Sequence, residues 1–152
     1  MASVDVAKAF DSVSFEAIIH GLETKDFSSD FITYIRDFYD TSSTVLSIDN
    51  QTCVVHPTSG MRQGDPLSPL LFNMVIDEWL QMPTCGTGFQ SYELVLDCMA
   101  FADDLIIMTS TPQGLQLRLD MLEDFLSKKG LSINPKKSFT LSLQPFGRDK
   151  KT

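Results

Sequence analysis

The stretch Cys98–Met108, CMAFADDLIIM, sets two adjacent aspartates, Asp103 and Asp104, inside an otherwise apolar run. Apolar residues on both sides read as two strands of a hairpin, and the aspartates as its turn, since Asp is a common turn residue. A plain turn accounts for one aspartate more readily than for two. Adjacent carboxylates repel, and each resists ionisation unless a cation or a donor stands beside it. A divalent-metal site is the sharper reading and a plain turn the blander one, and a motif this short does not decide between them.

The rest of the chain narrows the choice. At 152 residues, with 43% hydrophobic and 21% charged residues, it has the length and composition of one globular domain with a real core. A net charge of -8 argues against a free-standing nucleic-acid binder, which would need a basic face to neutralise phosphates. Cys53, Cys85 and Cys98 are odd in number and lack metal-ligand spacing, so they read as reduced, intracellular packing residues. The N-terminus has no signal-peptide pattern. The most apolar helix candidate is interrupted by Asn73, Asp77 and Glu78, so no membrane span is expected.

Hydrophobic periodicity gives the element order. Residues 3–6 read as the end of a strand, and Phe15, Ile18, Ile19 and Leu22 mark one face of a helix. A second helix follows Ser28-Ser29, with Phe31, Ile35 and Phe38 facing inward. TVLSIDNQTCVVH reads as a hairpin turning at Asp49-Asn50-Gln51. A Gly-rich loop then leads into a long helix, for which Ser68 as N-cap with Pro69 at the first helical position is the preferred start. Residues 92–101 and 105–109 form the aspartate hairpin. A helix opens at Thr111-Pro112 with a Leu115, Leu119, Leu122, Leu126 stripe, and SFTLSL reads as the last strand. Strands interleaved with helices in this order predict an α+β fold, an antiparallel sheet with helices on one face.

In such a sheet the first strand, ending at Asp5, can neighbour the Asp103-Asp104 hairpin and bring three carboxylates together. That cluster suits a pair of divalent ions about 3.5–4 Å apart, and oxygen ligands favour Mg2+, with Mn2+ able to substitute.

Four segments in order, VDVAKAFDSVS, SGMRQGDPLSPLLFNMVIDE, AFADDLIIMTS and GLSINPKKSFTLSL, resemble the consecutive motifs of the reverse transcriptase palm. The resemblance is closest to non-LTR (LINE-like) retrotransposons of the site-specific type inserting in ribosomal RNA genes. It implies a palm-like fold and two-metal nucleotidyl transfer from a dNTP to a primer 3′-OH on an RNA template. Asp5, Asp103 and Asp104 match the catalytic metal-binding positions, Asp103 being the stronger ligand of the pair. Phe10 matches the aromatic gate that clashes with a ribose 2′-hydroxyl. Gly60, Arg62, Gln63 and Gly64 match the loop beside the template and the new base pair, with Gln63 also contacting the nucleotide. Lys137 matches the later palm lysine that assists the pyrophosphate or positions the nucleotide, and Lys136 competes for that role. Phe15 and Phe101 depart from the residues relatives often carry there, His and Tyr. Read without the resemblance, Phe10 is also a plausible core residue, the glycine-rich segment an ordinary loop, and the two lysines solvated charges. Asp11 reads as structural, pairing with Lys8 or capping the helix that follows.

The same resemblance frames the whole chain. Residues 1–144 match the palm, with fingers and thumb missing or incomplete, and 145–152 read as a flexible tail. The partners implied for a full-length enzyme are an RNA template, a DNA primer and dNTPs, with integration in the nucleus and no membrane. Without basic walls to grip triphosphate and duplex, the isolated chain is not expected to extend a primer. Two rivals stay open: a palm-like nucleotidyl cyclase, and a non-catalytic remnant acting as an interaction module.

Overall fold

The computed structural model describes residues 1–49, 51–84 and 86–143. Asn50, Cys85 and the 145–152 tail therefore lie outside the described residues. The elements run β1 (Ala2–Asp5), α1 (Ala9–Ser12), α2 (Phe15–Glu23), α3 (Ser29–Asp40), β2 (Thr44–Ile48), β3 (Gln51–Val55) and α4 (Leu67–Leu80). They continue as β4 (Phe89–Ser91), β5 (Leu94–Leu96), β6 (Cys98–Phe101), β7 (Asp104–Ile107), α5 (Pro112–Lys128) and β8 (Phe139–Thr140). The architecture is the expected α+β one, with an antiparallel sheet in the order β6-β7-β1-β8.

Strand alternation splits the residues of this sheet between two faces. Ala2 and Val4 of β1 and Leu105 and Ile107 of β7 are buried against the helices. Ser3 and Asp5 point the other way, with Ile106, Asp104, Met99 and Phe101 beside them by register. The helical layer is built by α2, α4 and α5. Ile18 and Leu22, Phe72, Val75 and Trp79, and Leu122 and Leu126 are all essentially fully buried. Each such side chain contributes about 1.5–3 kcal/mol relative to exposure. Ser14 and Ser28 cap α2 and α3 through their hydroxyls, which accept from the Ala17 and Phe31 backbone N–H groups.

Four local expectations are corrected. Helix α4 begins at Leu67, and Ser68 lies inside it. Asp65 serves the N-terminus instead, its Oδ1 accepting from the Leu67 N–H at 2.9 Å. The Asp65 carbonyl that Pro69 cannot reach is taken by the Ser68 N–H at 3.2 Å, so the proline costs little. Residues 92–101 are not one strand: β5 pairs with β4 and β6 with β7, the chain breaking at Asp97. The closing strand shrinks to Phe139–Thr140. Of the cysteines, Cys53 is exposed on β3 and packs in no core, whereas Cys98 receives the Trp79 indole N–H at 3.4 Å.

The break at Asp97 has a physical cause. Arg118 of α5 is fully buried, lies 4.3 Å over the Trp79 ring, and donates to Asp97 Oδ2 at 2.5 Å and to the Pro83 carbonyl at 3.3 Å. Burial pushes the Asp97 carboxyl above its usual range, and the guanidinium only partly offsets that. A pair so desolvated gives little net stability while intact, yet removing one partner strands the other charge. Asp97→Ala should therefore lower the unfolding free energy by about 3–5 kcal/mol, read by urea denaturation. An effect below about 1 kcal/mol, the range of a surface pair, would contradict this.

Candidate active site

The site is assembled from three segments that meet on and beside the open sheet face. The first is the β6–β7 hairpin. Its two-residue turn is Ala102-Asp103, with Phe101 paired to Asp104, so Asp104 already belongs to β7. Ala102 has φ 53°, a left-handed value at the first turn position, where glycine is favoured. Held strain of this kind is typical of functional turns. Asp103 is half-buried and its carbonyl accepts from the Val6 N–H at 3.1 Å; Asp104 is exposed.

The second segment is β1. Its register with β7 sets Asp5 directly opposite Asp104, the strand adjacency anticipated from the sequence. Asp5 is also held from its other side by the turn that precedes β8. Asn134 donates its side-chain amide to Asp5 Oδ2 at 2.9 Å, and Lys137 reaches Oδ1 at 3.4 Å. The Asp5 N–H donates to Ser138 Oγ at 3.1 Å, and the Asn134 N–H to the Asp5 carbonyl at 2.8 Å. The three aspartates are thus neighbours by backbone, but their carboxylates do not converge. Among the described residues no three His, Cys, Asp or Glu side chains are gathered tightly enough to hold a metal ion. The donor set itself, three carboxylates, has the all-oxygen chemistry of a Mg2+ site, while the Asp5 carboxylate is turned toward Asn134 and Lys137.

The third segment is the loop 59–65 with α1. A cleft of about 480 Å³ is lined by Phe10, Arg62, Gln63, Gly64, Asp65, Pro66, Ser68 and Pro69. Phe10 stacks on Phe72 with ring centroids 4.8 Å apart, so one face packs on the core while the residue borders the cleft. Gln63 donates to Asp11 Oδ1 at 3.0 Å. Asp11 thus neither caps α2, a task Ser14 performs, nor pairs with Lys8. Arg62 is the residue that departs most from expectation. Its guanidinium lies 4.2 Å over the Phe38 ring and donates to Ser42 Oγ at 2.9 Å, so it is anchored toward α3. Among the described residues Lys136 contributes its backbone N–H alone, donating to Asn134 Oδ1 at 3.2 Å.

Asp11, read as structural, has Gln63 as a partner that sequence reasoning did not foresee, and Asn134 and Ser138 are neighbours of the site that it missed. Their contacts span 52, 129 and 133 residues, so no local pattern announces them. A separate cleft of about 460 Å³ lies beyond the far end of β7, lined by residues such as Met108, Leu115 and Leu141, and includes none of the designated residues.

An open-faced antiparallel sheet carrying Asp5 opposite an aspartate hairpin, flanked by a glycine loop, defines a polymerase palm. Residues 1–149 match the family model "Reverse transcriptase (RNA-dependent DNA polymerase)", and the chain belongs to that family. It is 40% identical over 152 residues to the Pol polyprotein of type-1 retrotransposable element R2 of Nasonia vitripennis, covering 99% of this chain and 15% of that protein. It is 37% identical over 153 residues to its type-2 counterpart R2DM of Drosophila melanogaster, covering 100% of this chain and 14% of that protein. The chain, a reverse transcriptase segment by family, spans about one seventh of the length of these two R2 relatives. Apo telomerase from Candida tropicalis shares the fold, with a TM-score of 0.72 at 13% identity over 91% of this chain and 27% of that one.

The loop's seat against α1 can be tested. The Gly60 N–H donates to the Val13 carbonyl at 2.8 Å and the Met61 N–H to that of Phe10 at 2.6 Å. Gly60 has φ +87°, and a Cβ there would sit 2.7 Å from the Asp11 carbonyl oxygen. Gly60→Ala combines positive-φ strain with backbone overlap and should cost about 2–4 kcal/mol in urea unfolding. Gly64 shares the φ of +87° but has nothing within 4 Å, so Gly64→Ala should cost only about 1 kcal/mol. Equal costs would show that the seat is not tight.

Proposed function

We propose that this chain forms the catalytic floor of an RNA-directed DNA polymerase of an R2-type element, one that joins a dNTP to a primer 3′-OH on an RNA template. The observation that carries the reading is the β1–β7 register, which sets Asp5 opposite Asp104 on the open face with Asp103 at the adjoining turn. Asp5, Asp103 and Asp104 would hold divalent cations, Mg2+ or Mn2+. Such ions activate the attacking oxygen and stabilise the leaving one.

The chain's own residues divide the remaining work. Phe10, braced by Phe72, forms the wall that a ribose 2′-hydroxyl would strike. Gln63, its amide nitrogen held by Asp11, would keep its carbonyl oxygen for the nucleotide. Gly64, with open space beside it, lets template backbone approach. Arg62 braces the template loop from the α3 side, and Lys137, seated on Asp5, would reach the triphosphate once released from it. RNA template, DNA primer and dNTPs are the partners of the full-length enzyme, acting in the nucleus. Among the described residues no helix is long and apolar enough to cross a membrane. Basic surfaces elsewhere in a longer polyprotein would grip these polyanions, since a floor in a chain of net charge -8 repels them.

Metal binding is the direct test. Mg2+ at about one hundred times its Kd should add about 2.7 kcal/mol of stability by mass action, a rise in Tm of about 5–10 °C for a domain of this size. Asp103→Asn should remove most of that rise. A flat titration, or an unchanged response in the variant, would favour the non-catalytic remnant.

A further inference from the structure

Asp5 carries the one ion pair made by the three aspartates among the described residues, and the partner, Lys137, is 70% exposed and 3.4 Å from Oδ1. The other oxygen, Oδ2, has the shorter and better-shielded contact with Asn134 at 2.9 Å. Asn134 is itself fixed: its N–H bonds the Asp5 carbonyl, its Oδ1 accepts from the Lys136 N–H, and its carbonyl accepts from the Lys137 and Ser138 N–H groups. The two carboxylate oxygens therefore have unequal holders, a rigid amide on one and a mobile ammonium on the other.

We propose that the Asn134–Ser138 turn is a cation-exchange clamp on Asp5. Asn134 keeps Oδ2 throughout, while Lys137 occupies Oδ1 until a divalent cation displaces it. The inference rests on the metal-binding reading of Asp5 given above. Asn134 acts as a positioning residue, because an amide donor on one carboxylate oxygen fixes the orientation of the other without competing for the ion. Lys137 acts as a resident counter-cation that spares Asp5 from facing Asp104 unneutralised, and its exposed, flexible stem makes it the partner that leaves. Displaced from Asp5, its ammonium becomes available to phosphate in the same step that brings the metal in.

The clamp predicts effects of opposite sign. Mn2+ binding to the full chain would be followed by the electron paramagnetic resonance of free Mn2+, for the wild type, Asn134→Ala and Lys137→Met. Lys137→Met should tighten binding about two- to fivefold, the range of an exposed pair, and less so at high salt. Asn134→Ala should weaken it about tenfold or more. If Asn134→Ala does not fold, Lys137→Met carries the test alone, since its side chain is exposed. Unchanged or weaker binding in Lys137→Met, or unchanged binding in a folded Asn134→Ala, overturns the clamp and leaves the metal site standing. Absence of saturable binding in the wild type overturns the metal site and the clamp with it.

Discussion

The pairing of β1 with β7 is the contact on which the rest of the molecule depends. Val4 opposite Leu105 and Ala2 opposite Ile107 bury the core face of the sheet, and the same register sets Asp5 opposite Asp104 on the other face. Like charges directly across a strand pair oppose folding. A one-residue slip would separate them but would turn Val4 and Leu105 outward, so the apolar pairs lock in the electrostatic conflict. A local conflict imposed by an otherwise consistent fold is where function is expected.

Two further devices make that conflict tolerable. The turn before β8 gives Asp5 an amide and an ammonium, and the β6–β7 turn holds Ala102 in a left-handed conformation that keeps Asp103 beside the strand end. Behind the sheet, Arg118 and Asp97 tie α5 to the start of β6, with Trp79 of α4 stacked between them and the core. The aspartate hairpin is thus fixed at both ends, by β1 through register and by α5 through a buried ion pair. The glycine loop 59–65 is fixed separately, through the backbone bonds of Gly60 and Met61 to the α1 segment.

What the sequence revealed was whatever short-range pattern encodes. Helical periodicity located α2, α3 and α5, and alternation with turn residues located the β2–β3 and β6–β7 hairpins. The errors share one cause, which is that the deciding contact was distant. Residues 92–101 read as one strand because nothing local shows that Asp97 must leave the sheet to meet Arg118, 21 residues later. Ser68 read as an N-cap because its hydroxyl's partner, the Arg62 carbonyl at 2.7 Å, lies in an irregular loop. The three aspartates stood out through motif order, whereas the Asp11–Gln63, Asn134–Asp5 and Ser138–Asp5 contacts did not, since each spans a long stretch of chain. Arg62 was legible as a loop residue but not as one stacked on Phe38.

The open face around Asp5 and the Asp103-Asp104 hairpin is proposed to be a divalent-cation site. A crystal structure of this chain grown with Mn2+, with anomalous data collected at the manganese edge, tests it most directly. The expected result is an anomalous peak within about 2.5 Å of carboxylate oxygens from both Asp5 and Asp103, with Lys137 swung away and Asn134 still on Asp5. Manganese bound elsewhere, or an Asp5 carboxylate still shared by Asn134 and Lys137 at saturating Mn2+, would contradict it.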